Sequence, residues 1–133
     1  MTKRILVVED TEDNRQILRD VLSDAGYDLI EAGDGEEGVR MAAEFQPDLV
    51  LMDIQLPLVD GYEATRRIKA DPVSRHIPVI AVTSYALAQD EKRALAAGCS
   101  GYVAKPFSPR ALLAKNPRIS AMTGAQMQEA ERP

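Results

Sequence analysis

Three acidic residues stand where acids can do chemistry. Glu9 and Asp10 directly follow the apolar run Ile5-Leu6-Val7-Val8, and Asp53 directly follows Leu49-Val50-Leu51-Met52. Two more apolar runs end in polar groups, Val79-Ile80-Ala81-Val82 in Thr83 and Tyr102-Val103-Ala104 in Lys105-Pro106. If the four runs lie side by side as strands, Glu9, Asp10, Asp53, Thr83 and Lys105 share one edge. Carboxylates that close repel, each pair by about 4 kcal/mol at an effective dielectric of roughly 20, so a cation must join them. Lys105 supplies one positive charge. An all-oxygen set from Glu9, Asp10, Asp53 and the main-chain carbonyl of Gln55 suits Mg²⁺, which takes few protein ligands and keeps waters. With no histidine or cysteine on this edge, zinc is disfavoured.

A metal, an ammonium, a hydroxyl and a carboxylate are the parts that phosphoryl transfer needs. Lys105 and Thr83 would hold the phosphoryl oxygens while Asp53 attacks in line, with no base required because its carboxylate is already ionised at neutral pH. The product is an aspartyl phosphate, which water can hydrolyse. Such a site suits a timed switch.

The elements that must position these groups follow from hydrophobic spacing. From about Glu12 to Ala25, Ile17, Leu18, Val21, Leu22 and Ala25 mark one face of a helix that Gly26 stops. Tyr27 to Glu31 is a less apolar second strand and a candidate edge. Asp34 offers an N-cap with Glu37 three residues on, opening a helix through Val39, Ala42 and Ala43 that ends at Phe45-Gln46-Pro47. The unbroken apolar run before Asp53 reads as a central strand covered on both faces. A helix from Tyr62 to Ala70 turns Ala64, Thr65 and Ile68 inward, and one from about Leu87 to Ala97 has a thin inward stripe of Leu87, Ala94 and Leu95. Ser108-Pro109 caps a fifth helix carrying Ala111, Leu112 and Leu113, which Asn116-Pro117 should end early.

Strands alternating with helices predict a parallel sheet with right-handed crossovers. The expected fold is α/β, a flavodoxin-like doubly wound five-stranded sheet of order 2-1-3-4-5 with helices on both faces and a short fifth helix. That order sets the ends of strands one and three side by side at the switch point, where ligands bind. Residues 1–116 form the domain in this reading, and 117–133 a polar tail, mobile or weakly helical.

Bulk properties narrow the field. The 133 residues carry a formal charge of -5, which argues against nucleic acid as a partner. The single cysteine, Cys99, excludes an internal disulfide and a paired-cysteine metal site, and it reads as a small buried residue beside the turn at Gly98. No stretch has the length of a signal peptide's apolar region or a membrane span, so a cytoplasmic location without membrane insertion is expected. His76 falls at the far end of strand four from the acids and is not expected to take part.

The segments Ile5-Leu6-Val7-Val8-Glu9-Asp10, Leu51-Met52-Asp53-Ile54-Gln55-Leu56-Pro57 with Asp60-Gly61, Thr83-Ser84, and Tyr102-Val103-Ala104-Lys105-Pro106-Phe107 together resemble the response-regulator receiver domain of two-component signalling. The resemblance covers about Lys3 to Lys115, and the strand-three loop is most similar to single-domain receivers of the DivK type. It implies that Asp53 is the phosphoacceptor, that Glu9 and Asp10 hold the metal, and that Lys105 and Thr83 contact the phosphoryl group. Tyr102 matches the switch aromatic, Gln55 and Tyr85 sit where the family tunes hydrolysis, and Lys105-Pro106 resembles the family's cis peptide. A histidine kinase or histidine phosphotransfer protein is the implied donor, and a downstream protein the implied target. The short fifth helix departs from the family pattern and leaves the usual dimer contact, and so the oligomeric state, open.

Two other functions compete. A small Mg²⁺-dependent aspartate-nucleophile phosphohydrolase would need a second aspartate two residues after the nucleophile, where this chain has Gln55. A flavodoxin-like cofactor binder would need a hydroxyl-rich or glycine-rich loop after strand one, where this chain has Glu9-Asp10-Thr11-Glu12.

Overall fold

The computed structural model describes residues 3–83 and 88–104. Nine elements alternate along it: β1 (Arg4–Val8), α1 (Glu12–Asp24), β2 (Asp28–Ala32), α2 (Gly35–Phe45), β3 (Leu49–Asp53), α3 (Gly61–Ala70), β4 (Val79–Thr83), α4 (Ala88–Ala97) and β5 (Gly101–Ala104). The five strands form one parallel sheet of order β2-β1-β3-β4-β5, as the alternation predicts. Lys105, the fifth helix expected after Ser108, Leu87, Tyr85 and the segment 117–133 lie outside the described residues.

All five residues of β3 are buried, which is why its sequence is an unbroken apolar run ending in one acid. β2, at the edge, begins with exposed Asp28 and buries fully only Ala32. Alternate side chains of the inner strands enter two separate cores. Leu6, Val8, Val50, Met52, Val79 and Ala81 meet Ala42 of α2, Ala64 and Ile68 of α3, and Ala94 and Ala97 of α4 on one face. On the other face Ile5, Val7, Leu49, Leu51, Ile80 and Val82 meet Leu18 and Leu22 of α1.

Two expected core residues point elsewhere. Ile17 is 58% exposed, because the inward stripe of α1 centres on Leu18 and Leu22 and the preceding residue lies about 100° round the helix. Leu95 is likewise 52% exposed, and among the described side chains of α4 it is Ala94 and Ala97 that turn inward. The described part of α4 meets the sheet through small side chains, and Arg93 adds a cation–π contact 4.4 Å from the centre of the Tyr62 ring on α3.

The helix ends at Gly26, Asp34 and Gly98 are built as the sequence implies, and Asp60 adds a cap that it did not announce. Asp34 accepts a hydrogen bond from the Glu37 N–H at 2.8 Å and Asp60 one from the Glu63 N–H at 2.9 Å, so both acids serve as N-caps. Gly26, after α1, has φ +92°, and Gly98, after α4, has φ +108°. Cys99 is buried beside Thr65, and burial pushes its thiol up from the ordinary value.

Candidate functional site

Register along the sheet brings the acids to one level. Val8 pairs with Met52, so Glu9 and Asp53 follow at the same height on adjacent strands. Asp53 pairs with Val82, which sets Thr83 one step further along β4, and Thr83 pairs with Ala104, the residue before Lys105. For Thr83 the strand position alone is described.

Glu9, Asp10 and Asp53 each offer a carboxylate oxygen, and the three oxygens lie within 4.8 Å of one another. Two of the acids are deep: Glu9 is 1% and Asp53 6% exposed, while Asp10 opens to solvent. The Glu9 main chain is held on both sides, its N–H donating to the Ala32 carbonyl at 3.0 Å and its carbonyl accepting from Arg15 Nη1 at 2.7 Å. The Thr11 N–H donates to Glu9 Oε2 at 3.3 Å, bending the chain back over the acid. Asp53 Oδ1 accepts from the Gln55 N–H at 2.9 Å, which fixes the plane of that carboxylate.

The loop from Ile54 to Asp60 is folded tightly against the end of β3. The N–H groups of Leu56 and Gly61 both donate to the Ile54 carbonyl, at 3.2 and 3.0 Å. Gly61 packs so closely that a Cβ there would run into the Asp53 carbonyl and the Ile54 Cα. Leu58, at the loop's tip, has φ +65° and is 96% exposed.

The cluster's electrostatics show in Asp10. Its carboxyl is pushed above the ordinary value, first by a hydrogen bond with Glu9 that favours a shared proton, then by partial desolvation and by the Glu9 charge. Two carboxylates that crowd one another in this way make a place that favours a cation. The donors are all oxygen, three carboxylates converge and one side is open to solvent, so the residues fit a hard divalent ion that keeps part of its water.

The family model for the response regulator receiver domain matches residues 5–116. The chain belongs to this family. Among curated receivers it is 48% identical over 108 residues to the polar-differentiation response regulator DivK of Brucella ovis, covering 81% of this chain and 88% of that one. Among solved receivers it superimposes on the chemotaxis protein CheY4 of Vibrio cholerae with a TM-score of 0.82 at 27% identity, covering 90% of this chain and 99% of that one. The receiver domain of a sensor histidine kinase from Pseudomonas aeruginosa, solved with a magnesium ion coordinated in its active-site cleft, matches with a TM-score of 0.76 at 35% identity over 96% of this chain and 99% of that one. Receiver domains take phosphoryl groups from histidine kinases and act on downstream targets. These likenesses give the phosphohydrolase reading no support. No helix among the described residues is long and apolar enough to cross a membrane.

Of the residues singled out from sequence, Glu9, Asp10 and Asp53 converge, and Gln55 contacts Asp53 through its main-chain N–H. Tyr102 is half-buried on β5, against the same core as Met52 and Tyr62. Sequence reasoning passed over Arg15, Thr11 and the closeness of Gly61. Only Gly61 left a trace, as the glycine that opens α3.

Proposed function

We propose that Asp53 accepts a phosphoryl group from a phosphohistidine on a histidine kinase or phosphotransfer protein. The aspartate oxygen forms the new O–P bond as the P–N bond to the donor imidazole breaks, and the electron pair returns to that nitrogen. The observation that carries this reading is the convergence of Glu9, Asp10 and Asp53 at the end of the central strand. Mg²⁺, held by Glu9, Asp10, Asp53 and the Gln55 carbonyl, would supply charge neutralisation for the transferring group. Gln55, through its N–H, holds the Asp53 carboxylate in one orientation. Burial of Asp53 restricts approach to the open side where Asp10 lies. Lys105 and Thr83 contact the phosphoryl oxygens, and movement of Thr83 toward them lets Tyr102 turn inward and alter the surface read by a downstream protein. The chain is a phosphoacceptor that assists its own phosphorylation and dephosphorylation in the cytoplasm, and it turns over no separate substrate.

The decisive experiment offers wild type and Asp53→Asn a ³²P-phosphohistidine donor with Mg²⁺. Label that is released by alkali and by hydroxylamine should enter wild type, be lost from the variant, and fail to enter wild type when the metal is chelated. Equal labelling of the two proteins refutes the assignment. Turnover of a free phosphate monoester by wild type would revive the phosphohydrolase alternative.

A further inference from the structure

Arg15 stands six residues after Glu9, on the first turns of α1, and does more than decorate the helix. Its Nη2 meets Glu12 at 2.6 Å and its Nε meets Glu31 at 3.5 Å. Arg19, one turn on, meets the same two acids, Glu12 at 3.3 Å and Glu31 at 2.8 Å. The four side chains close a ring of alternating sign that ties α1 to the edge strand β2. Arg15 has only about a fifth of its side chain exposed, and its remaining donor, Nη1, is aimed at the Glu9 carbonyl.

That carbonyl belongs to the peptide that joins Glu9 to Asp10. Because a peptide unit is planar, gripping its oxygen fixes the plane from which the Asp10 side chain departs. The Ala32 carbonyl holds the N–H on the other side of Glu9, so the acid pair is braced along the main chain from both directions.

We propose that Arg15 is a positioning residue for the metal-binding acids, locked by the Glu12–Arg19–Glu31 ring so that its Nη1 holds the Glu9–Asp10 peptide in the orientation Mg²⁺ requires. This rests on the reading of Glu9 and Asp10 as metal ligands given above. Two guanidinium groups and two carboxylates leave the ring without net charge, so Arg15 acts through placement of the peptide. The distinction has a sign. Removing a positive charge beside an acidic site would by charge alone tighten cation binding, whereas losing a positioning contact weakens it, by about tenfold where the partners of metal ligands have been removed.

The test is calorimetric titration of MgCl₂ into wild type, Arg15→Met, Arg15→Lys, Glu31→Gln and Asp10→Asn, with unfolding midpoints measured alongside. Arg15→Met should bind Mg²⁺ about tenfold more weakly. Arg15→Lys, which keeps a donor for the carbonyl but gives up much of the ring, should fall between it and wild type. Glu31→Gln, which loosens the ring but leaves the carbonyl contact, should lose less than Arg15→Met. A merely structural role would lower the unfolding midpoint and leave the affinity of the folded protein unchanged. Arg15→Met with wild-type or tighter affinity overturns the proposal, and if that variant does not fold, an unchanged Arg15→Lys does so. Wild type that takes up no Mg²⁺ overturns the metal site and this inference together; loss of binding in Asp10→Asn with none in the Arg15 variants overturns this inference alone.

Discussion

The two loops that deliver the acids are held in different ways. In both, a main-chain N–H two residues on faces the acid's carboxylate, that of Thr11 at Glu9 Oε2 and that of Gln55 at Asp53 Oδ1. The β1–α1 loop is further braced by a side chain, Arg15, which grips the Glu9 carbonyl from a charged ring. The β3–α3 loop is further braced by its own backbone, through two N–H groups on the Ile54 carbonyl and the approach of Gly61 to the Asp53 carbonyl. Side-chain braces can be changed one atom at a time, and their loss leaves the chain path intact. A backbone brace tolerates no added volume, because main-chain atoms cannot step aside without moving the strand behind them. The acid read here as the phosphoacceptor therefore sits on the stiffer mount, and the acids read as metal ligands on the one open to adjustment.

Adding a methyl group to the stiff mount should give the largest effect. Gly61→Ala forces a Cβ into the Asp53 carbonyl and the Ile54 Cα, and should cost about 3 kcal/mol in urea unfolding, the upper range for overpacking. A cost below about 1 kcal/mol would mean that the β3–α3 loop yields as readily as a side chain, and the contrast between the loops would fail. The same loop also offers a change of opposite sign. Leu58 holds φ +65° with its side chain 96% exposed, a conformation that disfavours leucine by about 1–2 kcal/mol and that asparagine tolerates. Leu58→Asn should therefore raise stability by about 1 kcal/mol while leaving Mg²⁺ affinity near that of wild type. A loss of stability would show that the exposed leucine makes a contact worth more than its strain.

How much of this was legible before the fold is seen depends on how local the cause is. β3 runs from Leu49 to Asp53 as expected, because Pro47-Asp48 and the proline after Leu56 bound an apolar run that only a doubly covered strand explains. Strand order and the meeting of Glu9, Asp10 and Asp53 followed from alternation and the family's motifs. Ile17 and Leu95 turn outward because each lies at the margin of its helix's inward stripe, about 100° round from a buried neighbour, and spacing alone does not say which of two adjacent apolar residues sits at the centre. Arg15 was invisible for a different reason. An arginine among Glu12, Arg19 and Glu31 reads as an ordinary solvated charge pattern until the distance from Nη1 to the Glu9 carbonyl is known. Likewise, a glycine at the start of α3 reads as a turn residue until the approach of the Asp53 carbonyl shows that a missing Cβ is what the position requires.

The smallest effect expected from the comparison concerns the adjustable mount and separates function from stability. Asp10 keeps its proton above the ordinary value of 3.8 because Glu9 shares a hydrogen bond with it and repels its charge. In the metal-free protein the folded state thus binds more protons than the unfolded chain over the interval that starts at 3.8 and extends up to the raised value. Stability consequently falls as pH rises through that interval, and the loss persists at neutral pH. Asp10→Asn, which cannot titrate, should unfold at a slightly higher temperature than metal-free wild type at pH 7, with the gap closing in acid below the ordinary aspartate range. The same variant should lose Mg²⁺ affinity. In wild type, protons should begin to compete with the metal at a pH above that of an isolated aspartate. A lower midpoint for Asp10→Asn at pH 7, or Mg²⁺ affinity indifferent to acid until the ordinary aspartate range, would mean that Glu9 and Asp10 are not the closely coupled pair that an adjustable mount must hold together.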